Sequence, residues 1–388
     1  MLQKVLSLFR RSGREPSLER WFVDLRQKAP VPIFWMLGRT QSGKTTIIKY
    51  LTGATEAEIG QGFRPCTRFS REYDFPMSEA PLLSFLDTRG LDEPGYDAKE
   101  DLARFNEQAN VVLLTVKVMD HGQETMLKVL PTIRKAAPQR PIVLVLTCLH
   151  EAYPQQQHAD PYPFSANGPI SEIPESLSRC IEEQRRRFAG LVDAVVPVDL
   201  TPPEEGFTQP DYGSEFLKKT LLEALPAAYR QTLLSLQEAN QDLKDVFAKQ
   251  ALPHILGYST LAATAGAIPI PWLDLFILPG IQTRMIFHLA DLYGQPLTGK
   301  RFLELAGTLG LGMALRQATR ELTKLIPVVG SVAGGALGGA STYALGKAFC
   351  FYFEAVHKGH VPRPDELRHY YRQQLAMAEQ FWKKKSKQ

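Results

Sequence analysis

Eight consecutive residues, Gly38-Arg39-Thr40-Gln41-Ser42-Gly43-Lys44-Thr45, carry a glycine, four residues, then Gly-Lys-Thr. Small residues let successive backbone N–H groups curl around an anion, the lysine adds a cation, and the hydroxyl beside it can ligate Mg2+. That is chemistry for the phosphates of a nucleotide, and it makes Gly38, Gln41, Ser42, Gly43, Lys44, Thr45 and Thr46 candidate phosphate contacts. Forty-three residues after Lys44 stand Asp87-Thr88-Arg89-Gly90. An Asp there can hold the metal through water, and the Gly90 N–H can sense a third phosphate as its loop moves. Thr67 is the one threonine between Thr55 and Thr88. It is the candidate for a second hydroxyl on the metal, so the expected metal set is Thr45, Thr67 and Asp87.

Such residues need a rigid frame, and the chain supplies one in apolar runs of strand length: 31–37, 81–87, 110–118, 141–147 and 193–199. Short apolar strands alternating with helical stretches predict a parallel α/β sheet with helices on both faces. The phosphate motif follows the first run and precedes the helical TIIKYLTG, as its mechanism requires. The expected domain covers 20–215. A Pro-rich, Gln-rich stretch at 151–175 reads as a surface insertion. Residues 216–250 read as a helical linker, and 1–19 open with a basic amphipathic segment.

From 251 the texture changes. Residues 250–273 carry no Asp, Glu, Lys or Arg, and Asp274 is the one such residue before Arg284. Pro253, Pro269, Pro271 and Pro279 break that stretch, so it predicts a helical hairpin turning at 268–271. A second uncharged run, 325–346, has glycines at 330, 334, 335, 338 and 339. Such spacing allows close helix approach in lipid or in a bundle. The expectation for 251–388 is an all-α domain of glycine-rich apolar hairpins, with 251–283 packing against 302–315 and 325–346.

Composition sets bounds. With 388 residues, 44% hydrophobic and 22% charged, the chain can bury a sizeable core and is not disordered as a whole. A mean hydropathy of −0.18 excludes a polytopic transporter. Residues 241–388 hold 17 Lys and Arg against 10 Asp and Glu, whereas 1–240 hold 28 against 31. The basic excess flanks apolar runs and ends in Lys383, Lys384, Lys385 and Lys387, which suits an anionic membrane surface and gives no basis for nucleic-acid binding. Cys66, Cys148, Cys180 and Cys350 form no CxxC pair. The reading is a cytoplasmic protein with reduced thiols, held peripherally or inserted at the membrane.

GRTQSGKT, Thr67, DTRG and a strand ending LVLT together resemble translation-factor-class GTPases of the Era and TrmE type. AIPIPWLDLFILPGIQTRMIFHLADLYG with LIPVVGSVAGGALGGASTYALGKAF is similar to the YcjF-type helical domain of unknown function that often follows such GTPases. The resemblance implies Mg2+-dependent binding of GTP and GDP and slow hydrolysis, with Lys44, Thr67, Asp87, Arg89 and Gly90 as the catalytic set. It also implies a base site at Thr147, His150, Asp199 and Leu200, and a switch acting on a membrane surface, a protein partner or a second copy. A non-enzymatic nucleotide-gated effector or membrane-inserting assembly protein is the alternative.

Three departures matter. The guanine-reading motif stands as Thr147-Cys148-Leu149-His150, so a neutral imidazole with one acceptor nitrogen replaces a carboxylate. Base selectivity then depends on another acceptor, such as Glu151 or a residue of the insertion. Leu91 follows DTRG where Ras-like proteins place a water-orienting glutamine, which throws hydrolysis onto Arg89, Arg64, a partner or a second copy. Gln41 replaces the Asn of potassium-activated relatives. Asp199-Leu200-Thr201 occupies the backbone turn that closes on the base. Cys148, His150 and His158 are too few for an expected zinc site.

Overall fold

The computed structural model describes residues 23–29, 31–65, 70–88, 105, 108–154, 156–164, 173–226, 229, 246–267, 273–295, 297, 305 and 330–385. They form two compact units. One comprises 31–78 and 83–233; the other comprises 1–30, 79–82 and 234–388.

The first unit is built on a seven-stranded sheet. Its central strands are β1 (Ile33–Gly38), β4 (Leu83–Thr88), β5 (Val111–Lys117) and β6 (Ile142–Thr147), all nearly free of exposed residues. Strands this apolar on both faces are stable only inside a sheet covered on both sides. With β2 (Arg64–Pro65), β3 (Ser70–Phe75) and β7 (Ala194–Pro197) the order is β2-β3-β4-β1-β5-β6-β7. β1 pairs in parallel with β4 on one side and β5 on the other. The chain order therefore reverses at β1, and a crevice opens at its carboxyl end, where ligands of such sheets bind.

All five expected runs become parallel strands, while the antiparallel β2 and β3 were not foreseen. SREYDF looks polar because Arg71 and Glu72 are only half-buried, although Tyr73, Asp74 and Phe75 are buried. Asp74 is satisfied by Ser84 Oγ at 2.5 Å and by the Arg64 guanidinium. Arg64 thus serves the sheet edge.

The helices are α1 (Lys44–Thr52), α2 (Glu56–Gly62), α3 (Glu124–Ala136), α4 (Glu175–Arg187) and α5 (Ser214–Ala224). α2 begins at a capping box: Thr55 accepts from the Glu58 N–H, and the Glu58 carboxylate accepts from the Thr55 N–H. α5 buries Leu217 and Leu221, four apart, and packs on β7. The sheet unit thus runs past residue 215 into the stretch read as linker. The insertion is also more than surface, since Tyr153, His158 and Phe164 are buried.

The second unit contains α6 (Val246–Gly266), α7 (Leu273–Leu292), α8 (Gly330–His357) and α9 (Pro364–Lys385). α6 and α7 are the expected helical pair; the turn at 268–271 lies outside the described residues. Pro253 and Pro279 sit within these helices instead of ending them. α6 is buried around most of its circumference and packs on both α7 and α8. The glycines explain the approach of α8: a Cβ on Gly335 would stand 2.9 Å from the Ala263 carbonyl, and one on Gly338 2.9 Å from that of Ala262. Among the described residues no helix is long and apolar enough to cross a membrane.

Glu79–Leu82, the last part of the connection from β3 to β4, belongs to this helical unit. Glu79 accepts from the Arg284 guanidinium and from Tyr258 Oη at 3.2 Å, with His288 Nε2 at 3.8 Å. Residues 1–19, 302–304, 306–315 and 325–329 fall outside the described residues, so the amphipathic opening and the packing expected of 302–315 are not among the features placed.

Candidate functional site

The phosphate loop runs from the end of β1 into α1. Gly43 adopts φ 90°, a left-handed turn that aims the first N–H groups of α1 into the crevice. A Cβ on Gly38 would stand 2.1 Å from Thr115 Oγ1, so only glycine lets the loop lie against β5. Two threonines anchor the loop from below. Ser42 Oγ and Thr115 Oγ1 share a 2.7 Å hydrogen bond, and Thr147 Oγ1 donates to the Ser42 carbonyl at 2.9 Å. Arg39 is held at 3.1 Å by Asp120, in the loop after β5. Lys44 donates to the carbonyls of Gly38 and Arg39 at 2.8 and 2.9 Å and lies 3.9 Å from Asp87 Oδ1, which presents its ammonium over the loop. Gln41 and Thr45 are exposed, and Thr46 is half-buried.

Asp87, next to last in β4, has its carboxylate largely buried beside Lys44. The next residue, Thr88, accepts from Trp35 Nε1 at 2.8 Å and from Ser70 Oγ at 3.1 Å, which fixes the strand end. Thr45 and Asp87 are hard oxygen donors of the type Mg2+ takes, and such ions keep several ligand positions for water and phosphate. Thr67, Arg89, Gly90 and Leu91 lie outside the described residues.

The other end of the site is assembled from separate segments. Cys148 turns with φ 54° into a short 3-10 helix, 149–152, that carries His150. The His150 N–H donates to Asp199 Oδ2 at 2.7 Å, and its Nδ1 lies 2.9 Å from the same oxygen. Asp199 is 2% exposed. Burial pushes its carboxyl up, and the hydrogen bonds of His150 pull against that. Residues 199–201, expected as a backbone turn, are drawn into a strand pair. Asp199–Leu200 is strand β8, paired with β9 (Asp211–Tyr212), and the Thr201 N–H is taken by the Pro210 carbonyl. β8 also packs against α1, so this end adjoins the phosphate loop. Glu151 pairs with Lys117 at 2.9 Å, a bond that raises the lysine's pKa.

Sequence reasoning missed the ring stack behind His150. His158 lies between Phe207 and Tyr212, each at 4.4 Å between ring centres, and its Nδ1 bonds Tyr153 Oη at 2.7 Å. Burial, and then nearby His150, lowers its pKa to about 4. Phe207 also touches the His150 ring at 5.5 Å. Gln157 closes the arrangement by accepting from the Thr208 N–H at 2.9 Å. The aromatic content of the insertion was the available signal; its partners, about 50 residues on, were not. Burial raises the Cys148 thiol, and among the described residues no group of three or more His, Cys, Asp or Glu could hold a metal ion.

Residues 34–148 match the family described as 50S ribosome-binding GTPase, and residues 230–380 match the domain of unknown function DUF697. Magnetosome membrane protein 22 of Magnetospirillum gryphiswaldense is 34% identical over 130 residues, 31% of this chain and 66% of that protein. The match thus spans just under two thirds of that relative. Among solved structures, the bacterial selenocysteine-specific elongation factor EF-Sec is 20% identical with a TM-score of 0.30, covering 50% of this chain and 29% of that one. The G domain of the T. maritima FeoB iron transporter is 18% identical with a TM-score of 0.28, covering 50% and 98%.

Proposed function

Because this chain joins a GTPase domain to a DUF697 helical domain, we propose that it binds GTP and GDP with Mg2+, hydrolyses GTP slowly and uses the change to switch its helical domain. The observation that carries the reading is the double tether of the phosphate loop, Thr115 to Ser42 and Thr147 to the Ser42 carbonyl. A loop held in this way is ready for phosphate before it arrives, so little binding energy goes into ordering it. Lys44 would meet the outer phosphate oxygens, while Thr45, Asp87 and Thr67 would hold Mg2+, which would neutralise phosphate charge when bound. Leu91 cannot orient water, and Arg64 is engaged by Asp74. Slow turnover in the isolated chain, raised by Arg89, a partner or a second copy, follows from that.

Switching is supported by the chain path. Residues 79–82 of the connection from β3 to β4 belong to the helical unit, so the strand that carries Asp87 is joined by backbone to Glu79 and its contacts with Arg284 and Tyr258. A cytoplasmic protein acting peripherally at an anionic membrane fits the Lys-rich end and the name of the magnetosome relative. Flotation of the full chain with anionic vesicles tests this. Recovery with vesicles that differs between GDP and a non-hydrolysable GTP analogue is the expected result. Protein left in the soluble fraction in both states at low salt would contradict the membrane reading.

A further inference from the structure

Which base enters is decided at the end of the site remote from the metal. Asp87 and β4 lie on one side of the phosphate loop, and Thr147, His150 and Asp199 on the other. A nucleotide whose outer phosphate faces Asp87 must extend its nucleoside along the carboxyl ends of β5, β6 and β7. His150 stands there with its side chain 31% exposed, backed by Phe207.

The hydrogen bonds of His150 fix what it can offer. An ionised carboxylate only accepts, so the short contact with Asp199 places the imidazole proton on Nδ1. Nε2 then carries a lone pair, and among the described residues it has no hydrogen-bond partner. Asp199 is buried and already takes two bonds from His150, and the Glu151 carboxylate is engaged by Lys117.

We propose that the His150–Asp199 pair reads the base as a single acceptor, admitting purines with a proton on N1 and ignoring the 2-amino group. This rests on the GTPase reading above. Guanine and hypoxanthine both present N1–H to Nε2, whereas adenine presents a lone pair there and meets repulsion. A two-oxygen carboxylate would also take the 2-amino hydrogens of guanine; one nitrogen cannot. Asp199 is the positioning residue, because it selects the tautomer.

Calorimetric titration of the full chain with GDP, IDP and ADP in Mg2+ tests the proposal. GDP and IDP should bind within about threefold of each other and ADP about tenfold or more weaker, since a site built for a donor rejects the analogue lacking it. His150→Ala, at a partly exposed position, should bring GDP and ADP within about threefold, while Asp199→Asn should lower the GDP-to-ADP ratio by freeing the tautomer. Glu151→Gln should leave the ratio unchanged. An intact ratio in His150→Ala, a ratio lost in Glu151→Gln, or IDP as weak as ADP would overturn the proposal while leaving the GTPase reading in place. Failure of the natural chain to bind any of the three would overturn both.

Discussion

At the phosphate end of the site eight consecutive residues, Gly38 to Thr45, hold almost all of the chemistry. At the base end, His150, His158, Asp199 and Phe207 come from four places spread over nearly sixty residues. The first end works through backbone, with N–H groups aimed by a left-handed glycine and a loop pinned by two threonines. The second works through side chains held by buried partners. The phosphate end therefore draws its chemistry from one stretch of chain, braced by β5 and β6. The base end depends on long-range packing, and it is there that this chain departs from the GTPases it resembles.

The comparison can be broken most severely at Lys44. Lys44→Ala should lower GDP and GTP affinity by about 100-fold or more, given the strength of charge-assisted bonds to phosphate, with unfolding unchanged. Near-normal affinity in a titration would show that the loop is not the anchor. Next is Gly38→Ala. Its Cβ would press on Thr115 Oγ1 at 2.1 Å and on the Thr115 carbonyl at 2.6 Å, so overpacking should cost about 1–3 kcal/mol in denaturant unfolding. A neutral effect would mean that β5 does not constrain the loop.

At the base end, His158 has a pKa of about 4 against an ordinary 6.5. Folding favours its neutral form, so its contribution is intact above about pH 6.5 and is lost as pH falls toward 4, by up to about 3 kcal/mol. His158→Phe should show a correspondingly shallower loss between pH 7 and 4, and identical pH dependence would remove the stack from the account. The smallest effect is expected from Gln157→Ala, which deletes bonds to Thr208 and Gly206 at an exposed position and should cost about 0.5–1.5 kcal/mol. GDP affinity should change less in this variant than in His150→Ala; a larger loss would place the 206–208 loop on the base itself.

How far the sequence could be read follows the same division. Contiguous signals were legible: the phosphate motif, the carboxylate at the end of β4, five buried strands and an apolar helical pair. Thr147 was readable as a site residue, but its role as a tether appears only when β6 lies beside the loop. Asp199 was expected in a backbone turn, and pairing with Tyr212 made it a strand whose side chain reaches His150. β2 and β3 were missed because β2 is only two residues long at the sheet edge and β3 carries Arg71, Glu72 and Asp74, the last buried with Arg64 and Ser84 as partners. The glycines of α8 were visible as a pattern, yet whether they face lipid or a helix is a tertiary fact; two of them, Gly335 and Gly338, lie against the carbonyls of α6.

Single-turnover release of phosphate by the full chain with Mg2+, comparing GTP, ATP and GTP with Lys44→Ala, tests the central claim most directly. Slow release from GTP, little or none from ATP and none from the variant is the predicted result. No release from GTP at saturating nucleotide, or equal release from ATP, would contradict a guanine-selective GTPase built on this loop.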